Sequence, residues 1–347
     1  MDSVTQASLG AIVAYAAWNK EMGNWSFMWG AFLGTLPDLD VIIRPFLSDT
    51  ASLYWHRGES HSIFFTIILS FLLAFLIKKR YKDKITYQRL YWGVFLVFAT
   101  HVLIDYFTIY GTQLLAPISR YGFAHGNFFI IDPIFTLPIL FAIVLIAIAP
   151  RFFGKKTLNI SLGFISIYTI YSLFAHAYTD SIFNEKLKQK GIEVQDSFTS
   201  ATPFNTILWR NVAKVENGFY ISYYSLLADN ANDPIGFEFV PQNNKLLEPF
   251  KNQENISTLK WFSKDFYILR KREDKIILSD LRFGEVREYM DEPMSKWGFA
   301  FSWEIDKEAH RLKKIEDRNK DMKKALNNLY AMIIGDIKFH TKIHSNI

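Results

Sequence analysis

The sequence predicts an α-helical transmembrane bundle of about six helices, the first two short, followed by a small, mostly antiparallel β extramembrane domain and a charged C-terminal helix. Three observations predict this. Charge divides the chain: residues 1–180 hold 13 Lys+Arg and 10 Asp+Glu, whereas residues 181–347 hold 26 and 24. Apolar runs approaching membrane-spanning length fill the first part. Short runs rich in Ile, Val, Tyr and Phe recur through the second. The domains drawn this way are 1–180, 181–305 and 306–347.

In chain order, residues 4–18 are small and apolar and short for a full span, and a turn is expected at 19–24. Residues 25–36 form a second apolar run ending at Pro37. Their small residues suit close helix packing. Helix three is expected over 63–77, helix four over 87–110, helix five over 128–149 and helix six over 158–178. No removable signal peptide is expected, and the sequence shows no internal repeat or low-complexity tract. Past a polar linker or helix extension at 184–191, strands are expected over 207–216, 219–227, 235–240, 266–272, 276–281 and 297–305. Arg272-Glu273-Asp274-Lys275 reads as a hairpin turn. Residues 307–334 read as a charged helix, with Leu312, Ile315, Met322, Leu326, Leu329 and Ile333 at helical spacing.

Composition also excludes chemistry. The chain has no cysteine, so thiolate metal sites, thiol catalysis and disulfides are absent. A net charge of +5 is spread over both halves, and no nucleic-acid partner is expected.

The basic stretches 78–84 and 151–156 are expected on the cytoplasmic side by the positive-inside rule. Both ends of the membrane part then lie outside, and so does the β domain. That orientation sorts Asp2, Gln6, Asp38, Asp40, His56, His61, His101, Asp105, Asp132, His176 and Asp180 to the outer end. Polar residues scattered at random would not sort to one side, and ionisable residues at membrane depth point to function.

His101 and Asp105 are i and i+4 on one helix face, a spacing that suits two ligands of one metal or a hydrogen-bonded packing pair. Asp38 and Asp40 follow Pro37 and can bind a cation through oxygen or simply end the helix. His56 and His61 offer two nitrogens, or stand at the interface beside a cap from Ser60 or Ser62. Arg57 can hold a phosphate or carboxylate, or reach to the surface. Together they read as one metal site. Asp38, His56, His61 and His101 are the expected ligands, and Asp40, Arg57 and Asp105 the catalytic set. Gln6, Asp132, His176 and Asp180 stand in a second rank, and His125, His310, His340 and His344 are expected to be structural or solvated. Mixed His and Asp ligands favour zinc, with manganese or iron as alternatives.

Several blocks resemble a known family. They are Met1-Asp2-Ser3-Val4-Thr5-Gln6, Gly34-Thr35-Leu36-Pro37-Asp38-Leu39-Asp40, His56-Arg57-Gly58-Glu59-Ser60-His61-Ser62, His101-Val102-Leu103-Ile104-Asp105 and Tyr110-Gly111-Thr112-Gln113-Leu114-Leu115. They look like the signatures of the YdjM-type inner-membrane metal-dependent hydrolases, and residues 202–210, 218–227 and 279–284 are similar to blocks of its longer members. The resemblance implies a multi-pass protein of the bacterial inner membrane with a metal-dependent hydrolytic site. It points to Asp38, Asp40, His56, His61, His101 and Asp105, with Asp132 in addition. Gln6 stands where many members have His, and Glu59 where the family is often apolar.

The first functional expectation is therefore a membrane hydrolase with an extracytoplasmic site, acting on a membrane lipid ester or phosphoester or another membrane-associated substrate. The second is a non-enzymatic envelope protein whose polar cluster fixes helix packing and whose β domain binds a partner. A transporter is a third, although no inverted repeat is seen.

Overall fold

The first helix begins on a side chain. In the computed structural model, Asp2 accepts hydrogen bonds from the Val4 and Thr5 amides at 3.0 and 3.1 Å and caps α1 (Ser3–Met22). The structure describes residues 1–250, 254–273, 275–287, 292–305, 312–317 and 321–337. His310, His340 and His344 lie outside them. The chain divides into two units, one of Met1–Ser48 with Tyr54–Ser172 and the other of Asp49–Leu53 with the chain from Leu173 on.

The first unit is helical. α1 is 20 residues long rather than short. The expected turn at Asn19-Lys20-Glu21 instead continues the helix, and the chain breaks only at Gly23, whose φ of 54° a side chain disfavours. α2 (Trp25–Thr35) packs on α1 through glycines. A Cβ on Gly10 would stand only 2.9 Å from the Gly34 Cα, so the close approach needs glycine. A ten-residue 3-10 segment, Pro37–Phe46, follows. Next come α3 (Asp49–Trp55), whose residues Asp49–Leu53 belong to the second unit, then in the first unit a 3-10 turn at Glu59–His61 and α4 (Ile63–Tyr81), capped where Ser62 accepts from the Phe65 amide at 3.1 Å. α5 (Tyr87–Tyr106) packs on α1 and α4. Trp18, Leu33, Ala74, Leu90, Val94 and Phe98 form their shared core.

α6 (Pro133–Ile148) is shorter than expected, and α7 (Pro150–Gln189) is far longer at 40 residues. The basic stretch at 151–156, expected as a loop, lies within α7, and so does most of 184–191, as its reading as a helix extension allows. Pro150 suits a first helical position, and Lys, Arg, Glu and Gln are good helix formers, so nothing locally stops the helix. The boundary between the units falls inside it.

By length and composition, one helix among the described residues is long and apolar enough to cross a membrane: α7. The count becomes three if two bent pairs are each taken as one span. These are Trp25–Thr35 with Pro37–Phe46, bent by 44°, and Asp49–His61 with Ile63–Lys84, bent by 55°. The six expected spans are thus not reached on that measure. α5 carries Arg89, His101 and Asp105, and α6 has only 16 residues.

The second unit contains two antiparallel sheets. β1 (Asp196–Ala201), β2 (Leu208–Val215), β3 (Gly218–Ser225) and β4 (Glu238–Pro241) form the first in simple order. β5 (Tyr267–Arg272), β6 (Lys275–Asp280), β8 (Gly298–Ile305) and β7 (Glu285–Val286) form the second, with β9 (Leu312–Asp317) on β8. α8 (Glu254–Ser263) precedes β5. Arg272 pairs with Lys275, so the hairpin turns where expected. Val212, Phe219 and Ile221 of one sheet share a core with Ile268 and Phe299 of the other and with Leu281 just past β6.

The expected helix over 307–334 divides. Leu312 pairs with Ile305 and Ile315 with Ser302 as strand β9, and only Met322–Ile334 is helical (α9). Leu312 and Ile315 are three apart, which fits a helix by period, but the open edge of β8 offers hydrogen bonds that take precedence. Met332 of α9 joins the shared core.

Candidate metal centre

Helical period and caps bring four side chains together. His101 and Asp105 share one face of α5 and are both buried. Asp38 comes from the first turn of the 3-10 segment after α2. His61 closes the 3-10 turn in front of α4 and is fully buried. Ligand atoms of Asp38, His61, His101 and Asp105 all lie within 4.8 Å of one another. His61 Nε2 stands 3.1 Å from His101 Nε2, 3.1 Å from Asp105 Oδ2 and 3.4 Å from Asp38 Oδ1. His101 Nε2 is 3.7 Å from both Asp38 Oδ1 and Asp105 Oδ2.

The outer contacts assign the protons. His101 Nδ1 lies 2.6 Å from the Gly34 carbonyl oxygen, which can only accept, so Nδ1 carries the hydrogen and Nε2 a lone pair. Ser60 Oγ donates to Asp40 Oδ2 at 2.9 Å, so it accepts from His61 Nδ1, also at 2.9 Å. That turns His61 Nε2 toward the group as well. Asp105 Oδ1 is occupied by Gln6 Nε2 at 2.9 Å, by an Arg57 Nη at 3.0 Å and by the Met1 amino group. Its Oδ2 is buried and has no hydrogen-bond partner.

Two imidazole nitrogens and two carboxylate oxygens therefore converge, the Nδ1 of each ring being engaged on the outside. Three of the four residues are buried, where unmatched lone pairs are costly. A cation removes that cost. The group can hold a divalent metal ion, and two nitrogens with two oxygens suit zinc, manganese or iron.

The other expected residues lie around this group or apart from it. His56 is not among the four; its Nδ1 is 2.8 Å from Asp40 Oδ1 and its ring packs edge-on to Tyr110. Asp40 also accepts from the Arg57 amide at 2.8 Å, so its carboxylate ties down the turn from His56 to Ser60. Arg57 is buried with a φ of 54° and spends its guanidinium on Asp105, on Thr108 Oγ1 at 3.0 Å and on the Tyr110 face. Gln6 donates to Asp105 rather than facing the ring nitrogens. Glu59 is ion-paired with Arg120. Asp132 caps α6 and accepts from the Tyr168 hydroxyl at 2.8 Å. His125 packs against Tyr106 and Phe107. His176 and Asp180 belong to the second unit, where His176 Nε2 meets the Thr199 carbonyl and Asp180 accepts from Thr199 Oγ1.

Three participants lacked a clear signal in the sequence. The Gly34 carbonyl is backbone and has no sequence mark. Thr108 stands three residues after Asp105, and Ser60 directly precedes His61; both are visible only as neighbours of ligands.

Known proteins share the part of the chain that builds this centre. The family described as YdjM inner membrane protein has a model that matches residues 1–179, a range containing all four converging residues. A curated relative, the uncharacterized protein YfhP of Bacillus subtilis (strain 168), is 26% identical over 189 residues, which cover 53% of this chain and 54% of that protein. The chain thus spans about half the length of the curated relative it matches. No solved structure matches.

Proposed function

This chain belongs to the YdjM inner membrane protein family, and on that premise we propose that it is a membrane-bound, metal-dependent hydrolase centred on Asp38, His61, His101 and Asp105. The observation that carries the proposal is the convergence of four ligand atoms within 4.8 Å, three on buried residues and one, on Asp38, with its side chain 18% exposed.

A divalent ion there, zinc in this proposal, supplies Lewis acidity and activates water near neutral pH. The rest falls to the chain. Gly34 and Ser60 fix the two histidine tautomers. Arg57 and Gln6 hold Asp105 by Oδ1 and so keep Oδ2 turned inward. Asp40 orients His56 through Nδ1, which leaves Nε2 as the nitrogen to take or return a proton. Water is added across the scissile ester or phosphoester bond, giving an acid and an alcohol.

The proposed substrate is a membrane lipid ester or phosphoester. The basic stretches 78–84 and 151–156 support cytoplasmic placement of those segments, a multi-pass topology, and an extracytoplasmic site and second unit. The test is turnover by purified protein in vesicles, with bis(p-nitrophenyl) phosphate, p-nitrophenyl butyrate and long-chain phosphatidate as probes. Zinc-dependent turnover, abolished by chelation and reduced to background in His61→Ala, is the expected result. Turnover indifferent to chelation, or none on any probe, contradicts the reading and favours a structural role for the cluster.

A further inference from the structure

The 3-10 segment Pro37–Phe46 carries a ligand at its start and apolar side chains beyond it. Asp38 is the one member of the four-residue group that is not buried, so a ligand reaches the group past Asp38. The residues that follow are turned outward: Ile42 is 61% and Phe46 87% exposed, and Val41 and Ile43 are exposed as well. A 3-10 helix stacks every third residue. Leu39, Ile42 and Pro45 therefore form one row, Asp40, Ile43 and Phe46 a second, and Asp38, Val41 and Arg44 a third. The first two rows run from beside the carboxylates into apolar surface, and the third passes from Asp38 through Val41 to Arg44, whose long side chain can extend its charge to a polar boundary. In water such a run would be an uncovered patch, whereas at the edge of a bilayer it is matched to its solvent. The 44° bend from α2 fits a span broken at that boundary.

We propose that Val41–Phe46 is embedded in the bilayer and guides a lipid sideways to the metal centre, its acyl chain against the exposed apolar side chains of the segment and its polar head at Asp38. This rests on the hydrolase reading for what happens to the lipid, but not for where the segment lies. The selected ligand is a long-chain lipid still in the membrane rather than a dissolved ester or free phosphate.

The absence of cysteine makes a direct test available. Ile42→Cys and Phe46→Cys, each carrying a nitroxide spin label, are reconstituted in vesicles of phosphatidylethanolamine and phosphatidylglycerol. Asn230→Cys, exposed in the second unit, serves as the aqueous reference. Collision with oxygen should exceed collision with a water-soluble nickel chelate at 42 and 46, and the reverse should hold at 230. Nickel dominating at both 42 and 46 overturns the proposal. Phe46→Ser then separates the two ligand sources. Turnover of long-chain phosphatidate should fall about 10-fold or more relative to bis(p-nitrophenyl) phosphate, the scale expected for losing a large apolar contact. An unchanged ratio overturns lipid guidance. If the wild type turns over neither probe, the hydrolase reading fails, and the spin labels still decide whether the segment lies in lipid.

Discussion

His101→Ala is expected to leave the purified protein without stoichiometric metal, whereas His56→Ala keeps it. His101 presents its Nε2 to the other three ligands, and its Nδ1 is anchored on the Gly34 carbonyl, so truncation removes both a ligand and the contact that aims it. The loss in metal affinity should exceed the roughly 10–100-fold typical of deleting a supporting hydrogen bond. His56 faces Asp40 instead, and its removal should lower turnover without emptying the centre. Elemental analysis of both variants, beside wild type, checks this. Equal metal loss from both would make His56 a ligand and refute a centre built on Asp38, His61, His101 and Asp105 alone.

Glu285→Gln is expected to destabilise the second unit by about 3–5 kcal/mol at neutral pH, the usual consequence of removing one partner from a buried ion pair. Glu285 on β7 lies 2.5 Å from Arg210 of β2 and 2.8 Å from Arg287, and accepts from the Tyr223 hydroxyl of β3 at 2.9 Å. These contacts join the two sheets. Arg287 also stacks 3.6 Å over Trp297 and pairs with Glu238 at 2.7 Å. Burial alone would raise the Glu285 carboxyl, but the Arg210 and Arg287 charges outweigh it and hold it at about 2, below the ordinary 4.5. A carboxylate depressed in this way contributes stability above its unfolded value and loses it as pH falls toward the folded one. The wild type should therefore weaken between about pH 4.5 and 2, and Glu285→Gln should lack that part of the pH dependence. Urea unfolding of the full chain, followed through its buried tryptophans, measures both effects. A variant as stable as wild type would contradict the ion-pair account.

Local pattern was legible where one element decides the outcome. The i, i+4 spacing of His101 and Asp105 sets them on one face, and β2, β3, β5, β6 and β8 fall close to their apolar runs. Long-range choices were not. β1, Asp-Ser-Phe-Thr-Ser-Ala, is too polar to announce a strand and exists because β2 offers it a ladder. α7 runs on through lysines that read as a loop.

The site follows the same rule. Residue types mark Asp38, Asp40, His56, His61, His101 and Asp105 as a group, but not which atoms face inward. That depends on partners far along the chain: Gly34 for His101, and Gln6 and Arg57 for Asp105. Arg57 looks like an anion clamp in the sequence, yet its donors toward Asp105 and Thr108 are occupied within the fold.

The most direct test is an anomalous-scattering map at the zinc edge from crystals of the zinc-loaded protein. One peak is expected, at about 2.0–2.2 Å from His61 Nε2, His101 Nε2 and a carboxylate oxygen each of Asp38 and Asp105. A map with no peak there, or with its peak on His56 and Asp40, would contradict the four-ligand centre.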